Sequence, residues 1–200
     1  NVAENASGPH ALKYGGTGAH LIAVTAVLPG GEVLRLHDES AEGGYDLVGL
    51  FTGSEGTLGI ATELELRLVP APEAVETLLA IFDRLDAATE AISAIVAAGL
   101  TPAALEMIDQ ESIRAVEASP YAAGYPTDAE AALVIEFDGS RAGLADDAEA
   151  ARRICRAAGA RDVQRASDDA TRERLWQGRR KIFGGVASFF FCLAESIVLA

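Results

Sequence analysis

Cysteine, histidine, tryptophan and basic residues are scarce in this 200-residue chain, and each shortage removes a class of explanation. The two cysteines, Cys155 and Cys192, lie far apart and form no disulfide framework, which points to a reducing, cytoplasmic location. Sixteen Lys and Arg stand against 30 Asp and Glu, a formal net charge of −14 that repels phosphate backbones and argues against a nucleic-acid partner. The three histidines, His10, His20 and His37, lack the close spacing of a helical or finger-type site, so no metal is expected. The longest uncharged stretch, Ile182 to Ala194, is shorter than the ~20 residues that cross a bilayer, so no transmembrane segment is expected. Neither G-x-S-x-G, a P-loop nor G-x-G-x-x-G occurs, and neither cysteine has a recognisable histidine partner; no catalytic nucleophile is assigned. The chain starts at Asn1 without a signal-peptide pattern and reads as a piece of something longer.

What is present is enough apolar material for a core: half the residues are hydrophobic. Residues 1–20, rich in Gly, Asn and Ala without periodicity, read as loop. Ile22–Leu28 and Glu32–Leu36 form a hairpin about Pro29-Gly30-Gly31, a surface loop follows from Asp38 to Gly44, and Tyr45–Phe51 reads as a short helix with Leu47, Leu50 and Phe51 on one face. From Ile60 the chain alternates: Ile60, Thr62, Leu64, Leu66 and Leu68 point one way, Ala61, Glu63, Glu65 and Arg67 the other, the pattern of a half-buried strand. Pro70 and Pro72 end it and mark a domain boundary.

Beyond Pro72 the pattern changes. Strands are expected at Thr77–Phe82, Ala103–Ile108, Leu133–Phe137 and Arg161–Arg165. Helices are expected at Asp86–Ala98, with Ile92, Ile95 and Val96 on one face, and at Asp109–Ala118, Leu144–Ala158 and Asp168–Phe183. Gly99 and Gly159 sit where helix C-terminal caps belong. Strand–helix–strand twice over, each helix ended by Gly, predicts a split βαβ, ferredoxin-like α+β layer.

Three segments carry chemistry, each with a structural alternative. "GSEGTLG" (53–59) is either a tight turn relieving positive φ or a backbone cradle for a phosphate or ring. "NVAENASGPHALKYGGTGAH" (1–20) is either an exposed terminus or a loop whose amides line a polar ligand. "LWQGRRKIF" (175–183) sets Arg179, Arg180 and Lys181 among Leu175, Trp176 and Phe183: a solvated basic face, or an arginine poised for bidentate carboxylate binding. The residues by themselves stop there, short of a reaction.

Taken in order, "NVAENASGPHALKYG", "VTAVLPGGEVLRL", "YDLVGLFTGSEGTLGIATELELRLVPAPEA", "TPAALEMIDQESIRAVE" and "LWQGRRKIFG" resemble consecutive segments of the FAD-linked oxidases of the vanillyl-alcohol oxidase group, among them glycolate oxidase FAD-binding subunits and D-lactate dehydrogenases. The resemblance implies that residues 1–70 are the C-terminal part of a PCMH-type FAD-binding domain. It implies that residues 71–200 are an incomplete FAD-linked oxidase C-terminal domain of ferredoxin-like α+β fold. It further implies FAD as cofactor, with Asn1, Val2, Ala3, Asn5, Ala6, Gly8, Tyr14 and Gly15 along the flavin and its ribityl–pyrophosphate chain, and Glu55, Gly56, Gly59 and Ile60 at the adenine and pyrophosphate half. Arg179 matches the arginine that grips the substrate carboxylate. The implied reaction oxidises a D-2-hydroxy acid to the 2-oxo acid, with an electron acceptor or partner subunits of an oxidase complex taking the electrons.

Departures accompany the resemblance. The first FAD subdomain would precede Asn1, the family's metal-binding histidines would follow the final helix, and the apolar tail from Val186 to Ala200 does not match the polar strand expected there. The chain alone is therefore expected to be inactive. A non-catalytic α+β module that keeps the fold without a working flavin site is the rival reading.

Overall fold

Leu78, Leu79, Ala80, Ile81 and Phe82 are all buried although they alternate in direction, so the strand that carries them is covered on both faces. A strand buried on both faces reads as a continuous apolar run and not as an alternation. It belongs to the second of two compact units, Asn1–Ala71 and the remainder from Pro72 onward. The chain is described here by a computed structural model covering residues 1–38 and 43–181.

The first unit opens with a one-turn helix, α1 (Ala11–Tyr14), and a 3₁₀ turn, Thr17–His20, inside a segment whose composition suggested only loop. Strands β1 (Leu21–Val27), β2 (Val33–His37) and β3 (Ile60–Leu66) form an antiparallel sheet in the order β2-β1-β3, and helix α2 (Leu47–Phe51) lies between β2 and β3 in sequence. Asp46 caps α2, accepting from the Gly49 N–H at 2.7 Å. The bridge between Asp38 and Asp46 closes the base of the loop expected at 38–44, of which 39–42 lie outside the described residues.

Two expectations fail in this unit. The α2 face that meets the sheet carries Val48 and Phe51, whereas Leu50 is 66% exposed, because the helix turns Val48 and not Leu50 onto the sheet. More consequentially, β3 keeps its alternation but not its burial: all seven residues are exposed, Ile60 at 71%. Leu64 lies directly opposite the fully buried Val24, on the face that holds the core of Val2, Val24, Ala26, Leu36, Val48 and Phe51. Helix α2 packs on β1 and β2, and β3 forms the sheet edge beyond its reach. The opposite face is polar, with Thr25 bonded to Glu63 and Arg35 paired with Glu65.

The second unit is α+β, with antiparallel strands β4 (Ala74–Phe82), β5 (Ala104–Asp109), β6 (Ala131–Gly139) and β7 (Asp162–Arg165) in the order β5-β6-β4-β7. Helices α3 (Leu85–Ala97) and α5 (Arg141–Ala157) cross over between strands, as the ferredoxin-like pattern requires, and α4 (Gln110–Glu117) follows β5. Asp109 caps α4 through the Ser112 N–H. Non-helical backbone at Ala142 and Gly143 means the regular part of α5 begins at Leu144. On α3 the inward face is Ala88, Ala91 and Ile95, and Val96 is 51% exposed, correcting the expected Ile92–Ile95–Val96 face. Small alanines let the helix approach the sheet closely, so they take the inward positions that a bulkier apolar pattern had claimed.

One face of this sheet (Leu78, Ala80, Phe82, Leu133, Ile135, Phe137) packs against α3 and α5, including Cys155. Burial pushes the Cys155 thiol from the ordinary 9.0 up to about 11. Because the folded state prefers the protonated thiol, that contribution to stability holds below pH ~9 and fades as pH rises toward 11. In a Cys192→Ser background at pH 8, Cys155 is expected to resist maleimide until denaturant opens the core. Rapid labelling of the folded chain would contradict its burial.

Candidate functional site

The two glycine-rich segments of the first unit, far apart in sequence, are tied into one structure. Val2 is anchored in the core, its carbonyl accepts from Gly53 N–H at 2.9 Å, and the Ala3 carbonyl accepts from Glu55 N–H at 2.7 Å. The same segment folds on itself: Ala6 N–H reaches the Asn1 carbonyl at 2.9 Å and Asn5 N–H the Val2 carbonyl at 3.1 Å. Asn5 Oδ1 accepts from Gly18 N–H at 2.9 Å, and Thr17 donates its hydroxyl to the Ala6 carbonyl at 2.6 Å.

Among the described residues, Asn5 (φ 47°) and Glu55 (φ 52°) are the two non-glycine residues in left-handed backbone, one in each joined segment. Such backbone costs of order 1–3 kcal/mol for a non-glycine residue and collects at ligand clamps. Beside them lies an open recess of about 360 Å³ lined by Asn1, Ala6, Ser7, Gly8, Gly15, Gly16, Thr17 and His20. Of the residues expected at a cofactor, Asn1, Ala6, Gly8 and Gly15 line it, and Val2, Ala3, Asn5 and Glu55 belong to the hydrogen-bonded frame beside it. Tyr14 stands on α1 with its ring tilted against His10 at 6.5 Å.

Gly56, Gly59 and Ile60 do not line the recess. Among the described residues, no heavy atom beyond its chain neighbours lies within 4 Å of where a Cβ on Gly56 (φ +78°) would sit, so its outer side is open. Gly59 is different: a Cβ there would stand 2.6 Å from the Val27 carbonyl oxygen, at φ +154°, so the close pairing of β3 with β1 requires the glycine. Ile60 faces Val27 across that pair and is largely exposed.

Ser7, Gly16, Thr17 and His20 line the recess without having been singled out, and Ser54 joins them as a residue with an unexplained feature: its hydroxyl oxygen is buried and has no hydrogen-bond partner among the described residues. Their signal was weak, since Ser, Thr and Gly in a loop are ordinary; only the fold brings them together.

Arg179 stands on a sixth helix, α6, described at residues 169–181, whose apolar side meets the second face of the β4–β7 sheet. Leu175 and Trp176 are buried there with Leu79, Ile81, Ala104, Ile108, Ala132 and Val134. Trp176 Nε1 donates to Glu136 Oε2 at 2.6 Å, and Thr77 donates to the same oxygen at 2.7 Å, so this buried carboxylate is held by two neutral donors. Arg179 Nε donates to Glu106 Oε2 at 2.7 Å, with about 30% of the arginine side chain still accessible. Arg180 pairs with the exposed Glu173 and lies 5.8 Å from the Trp176 ring, and Lys181 sits 5.3 Å from the Tyr121 ring.

A loop after α4 holds α6 from outside. Glu117 Oε1 accepts from the N–H groups of Ala123, Gly124 and Tyr125, each at 2.9 Å, which fixes Tyr125 against the helix. The Tyr125 hydroxyl donates to the Leu175 carbonyl, and burial, with the Glu117 charge second, raises its pKa so that it stays a donor. Gly178 makes this possible, because a Cβ there would fall 2.4 Å from the Tyr125 ring.

Residues 71–196 match the family described as FAD linked oxidases, C-terminal domain. That match runs through residue 196 and corrects the reading of the tail from 186 as a departure from the family. The chain is 43% identical over 98% of its length to a glycolate oxidase subunit GlcD of Escherichia coli K12, and 41% identical over 94% to the GlcD of Bacillus subtilis. A D-lactate dehydrogenase of Anaerostipes hadrus is 35% identical over the whole chain. The chain spans about 40% of the length of the GlcD relatives and 44% of the dehydrogenase. Among solved structures, an alkyldihydroxyacetonephosphate synthase superposes with a TM-score of 0.73 at 21% identity, over 94% of this chain and 36% of that one, a likeness of fold.

Proposed function

Since this chain belongs to the FAD-linked oxidases, we propose that the full-length protein is an FAD-dependent oxidoreductase that converts a D-2-hydroxy acid of the glycolate or D-lactate type to its 2-oxo acid. Bound FAD supplies the two-electron acceptor for the hydride that leaves the α-carbon. In this reading the joined loops of the first unit hold the cofactor largely through backbone. Asn5 and Glu55 set the strained turns, and Gly8 and Gly56 leave the approach open. The observation that carries the proposal is that joined frame: two clamped glycine segments beside an open recess.

Arg179 takes the substrate carboxylate through the Nη edge of its guanidinium, which plays no part in the bond to Glu106. Electrons leave through an electron acceptor or partner subunits, in keeping with relatives named as subunits of an oxidase. A reducing, cytoplasmic location belongs to the same reading, supported by Cys155 being a buried free thiol.

The rival, a non-catalytic α+β module, draws on Arg179 already having an internal carboxylate partner. One experiment separates the two. The purified full-length protein is expected to show the visible flavin band and to bleach under anaerobic glycolate or D-lactate. In Gly8→Val the band is expected to be lost while the Tm of the apoprotein stays unchanged, because among the described residues no heavy atom beyond the chain neighbours lies within 4 Å of the new Cβ. Absence of flavin from the unmutated protein leaves the module reading, and full flavin content in Gly8→Val moves the cofactor away from the recess.

A further inference from the structure

We infer that Glu106 is a positioning residue that turns Arg179 so that the Nη edge of its guanidinium meets the substrate carboxylate; this rests on the proposed role of Arg179. The inference starts from register. Glu106 pairs with Val134 and Ala104 pairs with Glu136, so the two carboxylates are diagonal neighbours on one face of the β5–β6 pair. On α6, Trp176 and Arg179 lie three residues apart and project from adjacent turns on the same side. The two spacings match: Trp176 Nε1 reaches Glu136 at 2.6 Å and Arg179 Nε reaches Glu106 at 2.7 Å.

Only the first of these contacts is needed to dock the helix. Leu175 and Trp176 are buried, Thr77 supports Glu136, Tyr125 ties the Leu175 carbonyl, and Gly178 lies against the Tyr125 ring. Glu106 adds something else. An arginine can present a carboxylate with either its Nε–Nη edge or its Nη–Nη edge. With Nε bonded to Glu106, the first edge is taken, the guanidinium plane is set, and the second edge remains for a ligand. The side chains of Arg179 and Glu106 keep 30% and 20% of their surface accessible, so the pair borders solvent and is not sealed in the core. Arg180, one residue on, instead gives both Nη atoms to the exposed Glu173, so its Nη edge is already taken.

The test uses the full-length, FAD-loaded protein and steady-state kinetics with glycolate and D-lactate. Glu106→Ala is expected to raise KM about tenfold, the loss of one hydrogen bond to a charged group, with a smaller change in kcat. Glu106→Asp keeps the charge but draws the oxygen back by one methylene, and KM is expected to rise there too. Glu106→Gln keeps an acceptor at the right distance and is expected to bring KM back to within about threefold of the starting protein. Flavin content and Tm are expected to stay level in the Gln and Asp variants, which serve alone if the alanine variant does not fold. A normal KM in Glu106→Asp with a high one in Glu106→Gln would mean that charge and not orientation matters, and overturns the inference. So does a KM that is unchanged or lowered throughout while Arg179→Lys raises it. If Arg179→Lys is itself silent, the carboxylate role of Arg179 fails, and the role of Glu106 falls with it.

Discussion

Gly59→Val is expected to lower the Tm of the first unit by roughly 10 °C or more, followed by thermal circular dichroism. Two costs combine. At φ +154° a β-branched residue is strained by of order 1–3 kcal/mol. Its Cβ would also stand 2.6 Å from the Val27 carbonyl oxygen, and backbone on the central strand cannot swing aside as a side chain would. Forcing the two strands apart costs about 1–3 kcal/mol more, by analogy with overpacked cores. For a domain of this size each 1 kcal/mol shifts Tm by about 4–8 °C. The resemblance places Gly59 at the adenine and pyrophosphate half of the cofactor, but the nearest obstacle to a Cβ there is the Val27 carbonyl of the chain's own central strand. A Gly59→Val protein melting at the normal temperature would return the glycine to the ligand's account, and Gly8→Val is its control because that site has room.

Arg179→Lys in the full-length protein is expected to lower kcat/KM for a 2-hydroxy acid by roughly ten- to a hundredfold. A lysine offers one point charge where arginine offers a fork, and a charge-assisted hydrogen bond is typically worth ~1.5–3 kcal/mol, with ~1.4 kcal/mol per tenfold. The lysine also has no Nε to give Glu106, so orientation is lost along with the fork. Flavin content is expected to be unaffected, because the proposed role of Arg179 is toward the substrate carboxylate and not the cofactor. Arg180→Ala is expected to leave the kinetics nearly unchanged, since its partner Glu173 is exposed and exposed pairs contribute ~0–1 kcal/mol. Should Arg180→Ala be damaging and Arg179→Lys silent, the carboxylate is held from the neighbouring position.

Much of the second unit was legible because its signals are local. Gly99 and Gly159, both at positive φ, end helices where their positions in the pattern said they would. Asp109 caps α4 from its place before the apolar spacing begins, and the strand expected at Leu133–Phe137 lies within β6. The errors share a cause as well. Leu50 and Val96 satisfied a helical period yet face outward, because a period tells which residues share a side and not which side meets a neighbour. The same holds for β3, where Leu64 and Leu66 occupy the face predicted for them and remain exposed, since β3 is the sheet edge and α2 packs on β1 and β2.

The sequence by itself determined the two-part organisation of strands and helices, the ferredoxin-like order of the second unit, and the motifs by which the chain resembles FAD-linked oxidases. Each of these is written in spacing, turn chemistry or residue identity along a short stretch. Only the tertiary structure decided that Val2 and Ala3 bond to Gly53 and Glu55, that Ser54 has no hydroxyl partner among the described residues, that Gly59 answers to Val27, and that Arg179 has Glu106 at its Nε. Those contacts join residues tens of positions apart, and a local pattern carries no information about which distant atom will occupy the space beside it.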